Sequence, residues 1–262
     1  MGGMEMGLLR LIAVWGLLCC VGCSVKEDRE RCPCLLRLDL SYVDTSAVNT
    51  ADLFLSGPEG YEFSESLELN SCDGEYDILV PQGEVSVWLY SGLDGESAGA
   101  EGLKIPYGED CPPVYMHSSV VAASGEFVTE TVHMRKNHCI LTVYVKSEEL
   151  FPYSFRFSGG VNGYGVRGEP SEGAFSYSVN PDQDNMCAVC LPRQVDDSLM
   201  LEIVDDSDVL RIFALGEYIS AAGYDWREED LRDVTVGIDF VVSQFTIAVS
   251  DWDDTHVYDV VI

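Results

Sequence analysis

From Leu35 the chain alternates, with Leu36, Leu38, Leu40 and Tyr42 on one side and Arg37, Asp39 and Ser41 on the other. A period of two is what a strand with one buried face requires, because successive side chains point to opposite faces of a sheet. The pattern recurs. Strands are expected at 35–42, 51–56, 61–69, 76–80, 84–90, 114–122 and 127–134, and again at 139–145, 153–157, 174–179, 186–191, 199–204, 209–215, 234–240, 245–250 and 257–262. Gly57-Pro58-Glu59-Gly60, Asp73-Gly74, Pro81-Gln82-Gly83 and Asp94-Gly95 supply the turns between them. No long helical period competes; only 217–222 and 228–232 suit short turns of helix. The expectation is an all-β chain of two tandem antiparallel β-sandwiches, 35–135 and 136–262, divided at the basic, polar Arg135-Lys136-Asn137-His138. Each block, of about 100 or 125 residues, is large enough for its own core.

Composition decides what surrounds those cores. At 47% hydrophobic and 10% aromatic residues the chain can fill them, so a net charge of −30 does not signal disorder. The acids gather instead in turns such as Asp205–Asp208 and on outward strand positions. A field this negative repels nucleic acid and anionic lipid, and no nucleic-acid partner is expected.

The apolar run 8–22 is shorter than the ~20 residues of a spanning helix. It has Arg10 inside it and ends in the small Gly22 just before Cys23, which reads as a signal peptide over 1–22 followed by a lipid-attachment site at Cys23. Cys20 departs from the leucine usual there, and Cys19 and Cys20 follow bulkier residues. Acyl chains such as palmitate gain ~0.8 kcal/mol per buried methylene, so a multiply acylated Cys23 would hold the chain to a bilayer through a tether at 23–34. No later segment is apolar enough to span.

Catalytic patterns are missing. His117, His133, His138 and His256 have no adjacent nucleophile or metal-ligand motif, and there is no nucleophile elbow, zinc-protease helix or phosphate loop. We therefore expect no enzyme, no cofactor and no metal site. Cys187-Ala-Val-Cys190 has zinc or redox spacing without a second ligand pair. The other cysteines after Cys23 are Cys32, Cys34, Cys72, Cys111 and Cys139, so the number after Cys23 is odd and at least one stays unpaired within the chain. Asp182-Gln-Asp184-Asn185 lacks the glycine and distal glutamate of a calcium loop and reads as an acidic turn. Aromatics in Asn162-Gly163-Tyr164-Gly165 and Asp225-Trp226 suit either sugar stacking or packing over a sandwich end.

Several of these stretches together resemble a known family. The Cys followed by Lys26-Glu27-Asp28, then Arg29-Glu30-Arg31-Cys32-Pro33 and an alternating first strand, resembles the start of the FimB-type fimbrial anchor proteins of Bacteroidota. Leu215-Gly216-Glu217-Tyr218-Ile219, Gly223-Tyr224-Asp225-Trp226, Asp230-Leu231, Asp233, Ile238-Asp239-Phe240, Phe245-Thr246-Ile247 and Asp251-Trp252 are similar to that family's closing domain. The resemblance implies transthyretin-like sandwiches and export to the cell surface, with Lys26, Glu27 and Asp28 as the export signal. It also implies a place at the base of a type V pilus, where a lipidated subunit attaches the fibre to the outer membrane, limits its length and serves cell adhesion. Partners would be fimbrial subunits joined by strand addition. In related shaft subunits an arginine-specific protease removes the leader and first strand; here Arg29, Arg31 and Arg37 lie behind the lipid, and an anchor would keep this segment. After Trp252 only 257–262 remains as a strand, without a further extension to donate. The alternatives are a shaft or tip fimbrillin and a surface glycan-binding lipoprotein.

Overall fold

The computed structural model describes residues 32–92, 98–99, 102–147, 149–165, 167–239, 244–250 and 255–261, with 98–99, 244–250 and 255–261 as backbone only. Strands dominate. In chain order they are β1 (Cys34–Asp39), β2 (Thr50–Ser56), β3 (Glu62–Glu68), β4 (Glu75–Val80), β5 (Gly83–Ser91), β6 (Ala98–Gly99), β7 (Gly102–Lys104), β8 (Tyr115–Ala123), β9 (Phe127–Thr131) and β10 (Arg135–Lys136). There follow β11 (His138–Val145), β12 (Ser154–Tyr164), β13 (Pro170–Val179), β14 (Met186–Pro192), β15 (Met200–Asp205), β16 (Asp208–Phe213), the helix α1 (Leu215–Ala221), β17 (Asp233–Asp239), β18 (Gln244–Ser250) and β19 (Thr255–Val261).

Two sandwiches result. A three-stranded sheet β4-β1-β9 and a five-stranded sheet β10-β8-β5-β2-β3 bury one core, in which Leu36, Leu38, Leu53, Val85, Val87 and Leu89 are fully enclosed. A five-stranded sheet β14-β11-β17-β18-β19 and a six-stranded sheet β16-β15-β12-β7-β6, with β13 also on β12, share a second core around Phe155, Phe157, Leu141 and Leu201. The alternation read from the sequence is the reason: every second residue of β1 and β11 is buried.

The sandwiches are not wholly antiparallel. β1 pairs antiparallel with β4 and parallel with β9, and β11 repeats this with β14 and β17. Each opening strand thus sits between an antiparallel neighbour and a parallel one.

Several expected boundaries move. The first strand stops at Asp39 because Leu40 turns the chain: its amide donates to Gly74 O at 2.8 Å and its carbonyl accepts from Val43 N at 3.0 Å. Leu215 belongs to α1 rather than to the preceding strand, and 228–232 is irregular rather than helical. β12 continues through the stretch read as a turn, 162–165, as far as Tyr164. Glycines permit that length, since a side chain at Gly163 would strike the carbonyl of Leu103 on the neighbouring strand β7. The ladder to β13 shifts register at two places in the same stretch, between Gly159 and Val161 and between Val161 and Tyr164.

The chain also crosses between the sandwiches in an unexpected place. After β5 it enters the second sandwich, where β7 pairs with β12, Ile105 N donates to Asn162 O at 2.7 Å and Gly108 N to Ser176 O at 2.8 Å. It then returns as β8 in the first sandwich before leaving again after β10. Residues 102–111 precede the division expected at 135/136 yet Ile105 and Cys111 belong to the second core.

Candidate functional site

The residues singled out for attachment and export, Cys23, Lys26, Glu27 and Asp28, lie outside the described residues. The structure instead defines the root from which such a tether would leave. Gln82, in the turn before β5, uses its whole amide there: Nε2 donates to Cys32 O at 2.9 Å and to Gly125 O at 2.6 Å, while Oε1 accepts from Gly125 N at 3.1 Å. Immediately beyond, β1 is held along both edges, from Cys34↔Val80 to Asp39↔Glu75 on one side and from Leu35↔Phe127 to Asp39↔Thr131 on the other. Arg37 adds side-chain ties across the sheet. Its Nε and Nη2 lie 2.7 Å from the two carboxylate oxygens of Asp77, its Nη1 lies 2.6 Å from Glu75, and its guanidinium stands 5.5 Å from the centre of the Phe127 ring. The Arg37 hydrogen bonds hold the Asp77 carboxyl below its ordinary pKa. A pull on the N-terminal end would load these ladder bonds together rather than one at a time.

A second constellation joins the sandwiches. Tyr90 of β5, Leu103 of β7, Val114 and Met116 at β8, and Tyr164 of β12 form a separate buried cluster between them, with Phe54 and Trp88 packed against it. The Tyr164 hydroxyl donates to Asn137 O and accepts from Arg193 N at 2.8 Å. Arg193 then fans out, with Nε to Asn137 Oδ1 at 2.9 Å, Nη1 to the carbonyls of Trp226 and Glu228, and Nη2 to Glu229 O at 3.2 Å. Burial pulls the Arg193 guanidinium below its ordinary pKa.

The linker between the sandwiches runs through this joint. Asn137 N and His138 Nδ1 both reach the single carbonyl of Val114, at 2.9 and 3.1 Å. Lys136 N donates to Asp230 Oδ1 and Ile140 N to Asp233 Oδ1, each at 2.8 Å, and Arg135 pairs with Glu229 and Asp230. The basic, polar stretch is therefore held by Glu229, Asp230 and Asp233 and by the Val114 carbonyl.

Other expected sites resolve differently. Cys187 and Cys190 are three residues apart on a strand, so their side chains leave opposite faces of β14, and one metal or one disulfide cannot span them. Cys190 lies beside Cys111 instead. Among the described residues no three His, Cys, Asp or Glu side chains converge as a metal site, and no helix is long and apolar enough to cross a membrane. Asp182 accepts from the amides of Asp184 at 2.9 Å and Met186 at 3.0 Å, the pattern of a self-satisfied turn. Tyr164 and Trp226 are buried, at 1% and 5% exposure, so neither offers a face to a sugar.

Open sheet edges remain. Among the described residues β16 pairs with β15 alone, and Val209, Leu210 and Ile212 are exposed along it, Ile212 at 57%. An apolar edge of this kind is a template for another strand.

No family model and no curated protein sequence matches the chain. Solved structures do. A candidate polysaccharide-binding protein from Bacteroides thetaiotaomicron is 13% identical, with a TM-score of 0.63 over 87% of this chain and 98% of the other. A candidate adhesin from Bacteroides ovatus is 14% identical, with a TM-score of 0.57 over 90% and 97%. The fimbrial anchor protein Mfa2 from Porphyromonas gingivalis is 13% identical, with a TM-score of 0.57 over 87% and 100%. At these identities the likeness is one of fold, and it embraces nearly the whole of each neighbour: this chain has their all-β sandwich architecture.

Proposed function

We propose that this chain is a cell-surface lipoprotein that fixes a fimbria to the outer membrane and limits its length, without enzymatic activity. The observation that carries the reading is the fold shared with the fimbrial anchor protein Mfa2 over that protein's entire solved chain, in a sequence with a lipid-attachment pattern at Cys23. An anchor must hold at one end and join at the other. Lipid on Cys23 supplies the hold, and the doubly paired β1 carries the load from the tether into the first sandwich. Joining is by strand addition to a fimbrial subunit, in which backbone hydrogen bonds supply affinity and alternating pockets supply register. The open edge of β16, with exposed Val209, Leu210 and Ile212, is the proposed acceptor.

The experiment is immunogold labelling of cells with antibody to this chain. Label confined to the fibre base supports an anchor, whereas label along the shaft or at the free end makes the chain a shaft or tip subunit. A glycan-binding reading draws on the candidate polysaccharide-binding neighbour. It loses the two aromatics that the sequence offered for it, since Tyr164 and Trp226 are enclosed.

A further inference from the structure

Cys111 and Cys190 stand 79 positions apart in sequence and meet where the 102–111 excursion crosses β14. Cys111 Sγ approaches Pro112 O at 3.2 Å, and Cys190 Sγ approaches the same oxygen at 3.6 Å. Their backbones are matched as well. Asp110 Oδ1 accepts from Cys111 N and from Cys190 N, each at 3.0 Å. Two thiols and two amides thus surround one short segment, Asp110–Pro112. A hydrogen bond with the Cys190 thiol and burial push the Cys111 thiol well above its ordinary pKa, as expected of sulfurs in contact.

We propose that Cys111 and Cys190 are a disulfide site that locks the excursion from the first sandwich onto the edge strand of the second. The proposal rests on the surface location argued above, because an oxidising compartment is where such bonds persist. Cys190 is the more exposed of the two and reacts first. Its thiolate attacks an external protein disulfide, releasing one thiolate of that partner and forming a mixed disulfide. The Cys111 thiol then loses its proton and displaces the partner's second sulfur. The chain's two S–H bonds are replaced by one S–S bond, and two electrons and two protons leave with the partner, now a dithiol. The bond closes a long loop through β8–β13, which is where a cross-link constrains the unfolded chain most.

Two neighbouring thiols lack this arrangement. Cys139 is wholly enclosed in the second core, and Cys187 faces the opposite side of β14 from Cys190.

The test is thiol trapping of the full protein extracted from its own cells into alkylating agent, followed by peptide mapping, with a parallel sample purified and incubated with oxidised glutathione. A linked Cys111–Cys190 peptide in the cell extract supports the proposal. Linkage only after glutathione also supports the site and instead counts against the surface location. Alkylation of both cysteines in both samples overturns the proposal. As a second readout, dithiothreitol should lower the melting temperature of the oxidised protein by about 5–10 °C. Cys190→Ser, a small change at a half-exposed position, should abolish that difference; a difference that survives in the variant overturns the assignment.

Discussion

Tyr164 uses its hydroxyl twice inside the joint, donating to Asn137 O and accepting from Arg193 N. Tyr164→Phe keeps the ring in its cluster and strands both partners, so equilibrium denaturation should register a loss of about 1–3 kcal/mol. An unchanged midpoint would mean that the hydroxyl is dispensable. His138 makes a pH-dependent contribution at the same joint. Burial holds its imidazole below its ordinary value, against a smaller opposing effect of the hydrogen bond to Val114 O. The unfolded chain therefore takes up the proton first. Stability contributed by neutral His138 is complete above about pH 6.5, the unfolded value, and is lost as pH falls below it. His138→Gln retains an N–H for Val114 O, so its melting temperature should fall less between neutral pH and about pH 5 than that of the unaltered protein. An equal fall in both would remove His138 from the account. Sequence reading found these residues without finding their role. Tyr164 reads as a turn aromatic because Gly163 and Gly165 flank it, whereas those glycines are where neighbouring groups pack close to β12. Cys190 reads as half of a Cys-x-x-Cys motif because its true neighbour is remote in the chain.

β1 is the element on which the proposed anchoring would depend. Its alternation made it legible from the sequence, since one face of the strand is buried and a period of two is unmistakable there. Its parallel pairing with β9 was not legible, because nothing in a strand's own sequence names its neighbours. That pairing has a consequence for processing. The Arg37–Leu38 bond lies in a strand hydrogen-bonded on both edges, and a protease needs a freed, extended segment to cut it. Folded protein treated with an arginine-specific protease should therefore keep this bond intact while urea-unfolded protein is cut, as read by intact mass. Rapid cleavage of the folded chain there would show that β1 is readily released, as in a shaft subunit. In the second sandwich, β16 pairs with β15 alone among the described residues and exposes Val209, Leu210 and Ile212. Leu210→Lys with Ile212→Lys alters exposed positions, which ordinarily shifts stability by less than about 0.5 kcal/mol each. If β16 accepts a fimbrial strand, the double variant should fold normally and shed more fibres into the medium; normal retention would direct the search to another edge.

The described residues form two sandwiches between which the chain passes three times, on entering and leaving the 98–111 excursion and again at the linker after β10. The all-β sandwich class could be read from strand spacing. The excursion could not, because β7 is only Gly102–Lys104, too short to carry a period, and its place is set by contacts with β12. Shared segments of this kind make independent unfolding of the halves unfavourable, so calorimetry should record one endotherm, and two well-separated ones would contradict the joint described here. A single coupled body would suit the proposed anchor, which has to carry tension from a fibre to a membrane. The proposed attachment at Cys23 is tested by the fate of fibres on cells carrying Cys23→Ala. The account predicts that electron microscopy finds them detached, in the medium or overlong. Fibres that stay on the cell at normal number and length would contradict it.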